Sequence, residues 1–355
     1  MRTHSRIIKA FLLNILGLVS SVVIFPFLAL SQQVQPLRTF YHPSDIPIYS
    51  SALSPDGKMV ATTNWGTIIW DTNSGESLMT LKSPMRTTDR VAFSRDGKQV
   101  ATGDDWGLVK IWDLSTGEVI REIDFDGPQI NPPASGPIRG LAFSPTSKYL
   151  GASTASPAAV KVWDLQSGEM VFAGASRFPD YLEFLPDERQ ILLRDAIQNE
   201  EGANIGKQGE LWNILSKDLT SVFEGDQAML TIDGKRILTE IGHGYGVTFI
   251  MWDVGTGEKL RSFFREEVAT HPYALSPDGE MMLLRNQTET KLANTKDGKV
   301  LRNFGNVGQP LSAHQAFSDD GRLMITVYGN TVYLWDISDL AAGVKDEAQV
   351  YDKQE

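Results

Sequence analysis

The chain has 355 residues, of which 41% are hydrophobic and 31 are glycines, a composition typical of a folded globular protein. Cysteine is absent, which excludes disulfide bonds, thiolate zinc sites and cysteine nucleophiles. The 33 basic and 44 acidic residues give a formal net charge of -11 without a basic stripe, which excludes nucleic-acid binding.

The N-terminal segment has the pattern of an export signal. Arg2, Arg6 and Lys9 precede a mostly apolar run at residues 10–29, and small residues follow up to Ser31. This order is typical of a secretory signal peptide, and we expect cleavage after Ser31. The run is also long enough to span a bilayer, so an uncleaved membrane anchor at residues 10–29 is the alternative. Either way, the rest of the chain is expected to be exported, as a periplasmic or secreted protein.

The remaining sequence repeats a short strand pattern that ends in a tight turn. Seven such segments begin at Ser50, Arg90, Gly140, Tyr181, Gln227, Pro272 and His314. Each unit then continues into a β-rich segment that ends in Trp-Asp or a related pair. The first residues of these pairs are Trp70, Trp112, Trp163, Trp212, Trp252, Ala293 and Trp335. Successive pairs lie 40–51 residues apart, close to the length of a four-stranded propeller blade.

Each unit predicts four strands joined by tight turns and one loop. The first turn is usually Asp-Gly, and a second turn reads Ser/Thr-Gly-Glu at Ser74, Thr116, Ser167 and Thr256. One such sheet cannot bury both of its faces, whereas seven sheets around a common axis cover one another. We therefore predict an all-β fold, a seven-bladed β-propeller of four-stranded antiparallel blades.

These repeats resemble the WD-repeat family of β-propellers over residues 37–338. In that family the first strand completes the last blade, and "LRTFYHPS" from Leu37 is similar to "LMTLKSPM" from Leu78. The resemblance therefore implies that an N-terminal strand in the last blade closes the ring. The family's network of His, Ser/Thr, Asp and Trp is not expected, because Asn64 and Trp106 replace its aspartate in two units and no unit carries the family's Gly-His pair at its usual position. Residues 339–355 are polar and predict a short tail.

The resemblance implies a non-catalytic interaction scaffold that binds a partner protein or peptide through one loop-rich face. The seven inner strands are expected to begin at this face, and the insertions that begin at Asp124 and Asp195 are expected to lie on the same face. Trp65 and Trp106 lie in equivalent loops of adjacent units and are candidate aromatic anchors. The sequence has no Gly-x-Ser-x-Gly elbow and no His-Glu-x-x-His motif, so we predict no enzyme activity, no cofactor and no metal. Membrane contact is expected only through an uncleaved N-terminal segment.

One inner-strand position suggests an alternative function. The third residue of the inner strand is alanine in five units, whereas the fourth unit has Glu183. A carboxylate near the axis is unexpected, and it would face a water-filled channel or pair with Arg177 or Arg189. The alternative is an exported enzyme or a propeller that binds a small ligand or metal at the mouth of the channel. The candidate binding residues of both interpretations are Trp65, Trp106, Arg90, Tyr181, Glu183, Gln227 and His314.

Overall fold

The computed structural model of the chain describes residues 34–44, 46–82, 87–127, 136–155, 158–175, 180–198, 204–243, 246–265, 271–285, 289–305 and 316–340. The predicted signal segment 1–31, the alternative anchor 10–29, His314, Arg177 and most of the predicted tail lie outside these ranges. Within the ranges, no helix has the length and apolar character needed to cross a bilayer.

The described residues form antiparallel sheets that follow one another along the chain. Blade 1 contains β2 (Ser50–Leu53), β3 (Met59–Thr63), β4 (Thr67–Asp71) and β5 (Ser77–Leu81). Blade 2 contains β6 (Thr88–Phe93), β7 (Gln99–Asp104), β8 (Leu108–Asp113) and β9 (Val119–Asp124). Blade 3 contains β10 (Ile138–Phe143), β11 (Tyr149–Ala155), β12 (Ala158–Asp164) and β13 (Met170–Gly174).

The next three blades have the same strand order. Blade 4 contains β14 (Leu182–Phe184), β15 (Gln190–Gln198), β16 (Asn204–Asn213) and β17 (Leu219–Glu224). Blade 5 contains β18 (Asp226–Leu230), β19 (Arg236–His243), β20 (Gly246–Asp253) and β21 (Lys259–Arg265). Blade 6 contains β22 (His271–Leu275), β23 (Met281–Arg285), β24 (Thr290–Asn294) and β25 (Val300–Gly305). The predicted insertion from Asp195 is in part a lengthening of the hairpin formed by β15 and β16.

Blade 7 joins the two ends of the propeller. It contains β26 (Leu323–Tyr328) and β27 (Thr331–Asp336), and β1 (Arg38–Tyr41) pairs with β27 as its outermost strand. Phe317 forms a bridge with Met324 at the inner side of the blade. The predicted closure of a seven-bladed ring by an N-terminal strand is therefore confirmed.

The tight turns have the backbone geometry that the repeats predict. Glycine has positive φ after the inner strand in five blades, at Gly57, Gly97, Gly234, Gly279 and Gly321. Blades 3 and 4 place Ser147 and Glu188 at the same point, with φ of 60° and 57°. These two residues adopt a left-handed conformation that favours glycine, so the turn is specified by the whole repeat and not by glycine alone.

Aromatic contacts between neighbouring blades recur around the ring. The outer end of each blade contributes a large apolar side chain to the core that it shares with the next blade. In five of the seven steps that side chain is a phenylalanine beside the repeat tryptophan of the next blade. These pairs are Phe40 with Trp70, Phe125 with Trp163, Phe172 with Trp212, Phe223 with Trp252, and Phe304 with Trp335. Their ring centroids lie 4.7–6.2 Å apart, so the repeat tryptophan packs between blades rather than within one sheet.

The hydrogen-bond network that the sequence did not predict is present in part. Four tryptophans donate Nε1–H to a threonine hydroxyl in the second strand of their own blade, at 2.8–2.9 Å. The pairs are Trp70 with Thr62, Trp112 with Thr102, Trp252 with Thr239, and Trp335 with Thr326. In blade 1, Asn64 also contacts His42 Nδ1 at 3.0 Å. The prediction that the family network would be absent is therefore wrong for these bonds. Asn64 takes the place of the family's aspartate, and the bonds between threonine and tryptophan form without a Gly-His pair.

Candidate interaction face and central channel

The antiparallel order of the strands gives the ring two different faces. The connection from first to second strand and that from third to fourth strand lie at one end of each blade, which we call the turn face. The first residues of its inner turns are Pro55, Arg95, Pro145, Pro186, Ile232, Pro277 and Asp319. The loops between second and third strands and between blades lie at the opposite end, which we call the loop face. It includes the loops 64–66, 105–107 and 329–330.

The two candidate anchors lie on the loop face, in blades that are adjacent in the ring. Trp65 is in the loop between β3 and β4, and Trp106 is in the loop between β7 and β8. Their residues are 54% and 46% exposed, respectively. The predicted positions in equivalent loops therefore place both indoles at the surface, where a partner could reach them.

Hydrogen bonds hold both anchor loops in place. Asn64 Nδ2 lies 2.6 Å from Ser44 Oγ, and the buried Asp104 carboxylate accepts the backbone N–H of Trp106 at 2.9 Å. The connection between the blades links the loops, because Thr88 N donates to Asn64 O at 2.6 Å and Asp105 N donates to Thr87 O at 3.3 Å. These bonds link the loops that carry Trp65 and Trp106 and hold both loops in place before a partner binds.

Exposed aromatic residues concentrate on this face. Among the described residues, the exposed aromatic side chains are Tyr41, Trp65, Trp106, Phe264 and Tyr328. Each lies in a loop of the loop face or at the end of a strand that reaches it. Exposed aliphatic residues such as Leu78, Ile120, Met170, Leu215 and Leu260 lie instead on outer strands or on turns of the turn face. Four of the five aromatics belong to blades 7, 1 and 2, which are consecutive in the ring.

Arg90 and Gln227 do not project into a common site. Arg90 is buried, and its Nε donates to Arg139 O of blade 3 at 2.5 Å while its Nη1 donates to Asp89 O at 2.8 Å. Burial, together with the nearby Arg139 charge, lowers the pKa of Arg90 to about 10. Gln227 has φ of 54° at a register shift in β18, where it forms a bulge. Arg90 therefore connects blades 2 and 3, and Gln227 shapes the start of an inner strand.

Tyr181 and Glu183 are brought together in the central channel. The Tyr181 hydroxyl donates a hydrogen bond to Glu183 Oε2, and the guanidinium of Arg194 lies 4.1 Å from the Tyr181 ring centroid. Burial raises the pKa of Glu183 to about 7, although the Tyr181 hydrogen bond and the charges of Arg95 and Arg194 act in the opposite direction. Desolvation and the Glu183 charge also raise the pKa of Tyr181. Glu183 was predicted to face the channel or to pair with Arg177 or Arg189; it lines the channel cavity, and its hydrogen bond is with Tyr181.

The channel contains a cavity of about 330 Å³. Its wall includes Glu183 and extends to the first residue of the inner turn in every blade, so it reaches the turn face. Arg95 of blade 2 and Asp319 of blade 7 form an ion pair of 3.1 Å at this rim, beside Pro55 of the intervening blade 1. This pair was not predicted from the sequence. The sequence did contain an indication of the pair, because Arg95 and Asp319 occupy a turn position at which four of the seven units have proline.

The alternative interpretation allowed a metal at the mouth of the channel, but the described residues contain no cluster of ligands for one. Within the described ranges, no group of three or more His, Asp and Glu side chains is close enough to hold a metal ion. His42 is buried and contacts Asn64, and burial lowers its pKa.

The fold and its repeats define the class of this protein. The chain is a seven-bladed β-propeller of the WD-repeat type, as the repeat pattern predicted. The family "WD domain, G-beta repeat" matches residues 34–71 and 75–113, which include the closing strand and most of blades 1 and 2.

Curated relatives are WD-repeat proteins of several kinds. The chain is 24% identical to the human serine-threonine kinase receptor-associated protein over 263 residues, 71% of this chain and 68% of that protein. It is 30% identical to the target of rapamycin complex subunit wat1 of Schizosaccharomyces pombe over 131 residues, 36% of this chain and 38% of that protein. It is 36% identical to the small ribosomal subunit protein RACK1 of Medicago sativa over 81 residues, 23% of this chain and 22% of that protein. These names describe components of assemblies and not catalytic activities.

Proposed function

We propose that this protein is a non-catalytic interaction scaffold that binds a partner protein or peptide through its loop face. The observation that carries the proposal is the concentration of exposed aromatic residues there, with Trp65 and Trp106 in adjacent blades. Tryptophan and tyrosine are enriched among the residues that dominate binding energy at protein interfaces. The WD-repeat fold and the assembly components among its relatives support the same function.

The mechanism is the presentation of preorganised loops by a rigid ring. The anchor loops are already held by hydrogen bonds from Asn64, Asp104 and the Thr87–Thr88 backbone, so binding has little loop entropy to remove. The net charge of -11 favours partners that carry basic patches, because opposite charges accelerate encounter.

An affinity capture experiment tests the face. The purified protein, the double variant Trp65→Ala/Trp106→Ala and the control Leu215→Ala/Leu260→Ala are used as bait for the exported protein fraction. The control removes two side chains of similar exposure, 56% and 52%, from the opposite side of the molecule. We expect proteins enriched by the unmodified bait to fall at least tenfold with the tryptophan variant and to remain with the leucine variant. Retention by the tryptophan variant together with loss by the leucine variant contradicts the proposal.

We also propose that the propeller is exported, on the evidence of its N-terminal sequence alone. The charged residues before residue 10 and the apolar run at residues 10–29 support this proposal. Mass spectrometry of the mature protein distinguishes the two forms of export. A new N-terminus at Gln32 indicates a released protein, an intact N-terminus in the membrane fraction indicates an anchor, and an intact N-terminus in the cytoplasmic fraction contradicts export.

A further inference from the structure

The central channel contains a defined cavity that the proposed scaffold function does not use. We propose that the cavity of this channel binds a small organic cation, an ammonium or guanidinium group on a compact apolar body. The ligand enters from the turn face and pairs with the carboxylate of Glu183. This site is separate from the aromatic loop face, so the two proposals stand or fall independently.

The dimensions and the wall of the cavity suit a small ligand with an apolar part. A volume of about 330 Å³ lies within the range of known small-molecule sites. Most of the residues that line it are apolar, although polar atoms contribute about half of its exposed surface. Ala92, Ala274 and Ala316 leave room near the axis where larger side chains would fill it. Such a wall contributes burial of apolar surface, while a single polar group gives the ligand its orientation.

The charges at the wall favour a cation. Among the described residues that line the cavity, the charged ones are Arg95, Glu183 and Asp319. Arg95 and Asp319 neutralise each other at the rim. Glu183 lies deeper, on the inner strand, so its ionised form leaves one carboxylate in excess among the charged residues that line the cavity.

The neighbouring groups offset the charge of Glu183 only in part. Tyr181 contributes a neutral hydroxyl, which donates one hydrogen bond to Glu183. Arg194 packs against the Tyr181 ring and donates to Ala228 O at 3.1 Å, and its charge lowers the pKa of Glu183, but it does not line the cavity. Burial nevertheless raises the pKa of Glu183 overall, so these charges do not offset the cost of its desolvation, and a ligand that brings a positive charge reduces this cost.

The protonation of Glu183 couples ligand binding to pH. The titratable or charged groups around Glu183 and on the same wall are Tyr181, Tyr273, Arg95, Arg194 and Asp319, and burial raises the pKa of Glu183 to about 7. A cation binds the ionised carboxylate and displaces its proton, so affinity increases with pH. With a pKa of about 7, the ionised fraction rises about tenfold between pH 6 and pH 8, and affinity should rise by the same factor.

Three probes of one size test the ligand class. Binding of n-butylammonium, n-butanol and butyrate to the purified protein is measured by calorimetry or ligand-observed NMR at pH 6 and pH 8. We expect n-butylammonium at pH 8 to bind at least tenfold more tightly than the other two, and its affinity to fall about tenfold at pH 6. Equal or tighter binding of butyrate, or no binding of any probe, overturns the proposal.

Variants locate the bound cation. Glu183→Gln should lower n-butylammonium affinity at least tenfold, whereas Glu224→Gln, an exposed carboxylate on the outer strand of the same blade, should leave it unchanged. Ala274→Leu fills the cavity without altering the carboxylate and should also abolish binding. Thermal unfolding tests whether each variant is folded. If Glu183→Gln does not fold, the affinity of Ala274→Leu for n-butylammonium tests the site. Unchanged binding in a folded cavity variant contradicts the site.

Discussion

Phe40 packs against Trp70 with ring centroids 6.0 Å apart, and this contact connects the first strand of the propeller to two blades at once. Phe40 lies on β1, which hydrogen-bonds to β27 in blade 7, whereas Trp70 ends the third strand of blade 1. Because β1 precedes blade 1 in the chain and completes blade 7 in the ring, the pair lies at the point where the ring closes.

Truncation of Phe40 should weaken this closure strongly. Its side chain is 1% exposed, and removal of a buried phenylalanine costs about 3–5 kcal/mol. We expect Phe40→Ala to lower the free energy of unfolding by this amount in urea titrations followed by fluorescence. Tyr41→Ala is the matched control, because Tyr41 is the next residue on the same strand but is 60% exposed, and its substitution should change stability by less than about 0.5 kcal/mol. Equal effects of the two substitutions would contradict the closing role of β1.

The Trp112–Thr102 hydrogen bond should stabilise blade 2 in a measurable way. Trp112 Nε1 donates to Thr102 Oγ1 at 2.8 Å, and both residues are buried. A double-mutant cycle with Trp112→Phe and Thr102→Val should give a coupling energy of about 1 kcal/mol, the usual net contribution of such a bond. A coupling energy near zero would show that the tryptophan contributes by packing alone.

Glu188 should stabilise the contact between blades 3 and 4. One of its carboxylate oxygens accepts hydrogen bonds from Ser144 Oγ, Thr146 N and Thr146 Oγ1 at 2.5–2.7 Å. Glu188→Ala should cost about 2 kcal/mol, since hydrogen bonds to charged groups are the stronger kind. Glu188→Gly should cost about 1 kcal/mol less than the alanine variant, because its φ of 57° favours glycine. The two variants are compared by urea unfolding, and equal losses would show that the backbone conformation carries no strain.

The pH dependence of Glu188 follows from its lowered pKa. Burial opposes the shift, but the hydrogen bonds from Thr146 and Ser144 and the Lys148 charge lower the pKa of Glu188 overall. A carboxyl group with a lower pKa in the folded state stabilises the fold above its unfolded pKa. This contribution is lost as the pH falls through the folded pKa. The stability difference between the unmodified protein and Glu188→Gln should therefore shrink as the pH falls below about 4, and a constant difference would contradict the assignment.

Glu183 should give a pH dependence of opposite sign. Its pKa rises from 4.5 to about 7 on folding, so the folded protein binds more protons than the unfolded chain between these values. Stability should therefore fall as the pH rises from about 4.5 to 7, by at most about 3 kcal/mol, and then level off. Glu183→Gln should remove this slope, whereas Glu224→Gln should retain it. Urea unfolding at several pH values measures the pH dependence of stability for both variants. An unchanged pH dependence in Glu183→Gln would contradict the raised pKa of Glu183.

The repeat pattern was sufficient to predict the ring because each of its signals is local. Asp-Gly turns set the hairpins, the Trp-Asp pairs mark the third strands, and the similarity of the segments from Leu37 and Leu78 indicates a displaced outer strand. The same register placed Trp65 and Trp106 in equivalent loops and identified Glu183 as the unusual inner-strand residue. These predictions depend on spacing along the chain, which the sequence contains directly.

The contacts of these residues were decided by packing between distant segments. Arg90 and Tyr181 hold corresponding strand positions, but Arg90 bonds the backbone of blade 3 while Tyr181 donates to Glu183 inside the channel. Arg95 and Asp319 are separated by more than 200 residues and meet only because the ring closes. The sequence by itself determined the number, order and turns of the blades, since short-range patterns encode them. Only the tertiary structure decided which side chains line the channel and which aromatics besides the two tryptophans are exposed on the loop face, because both depend on how seven separate sheets converge on one axis.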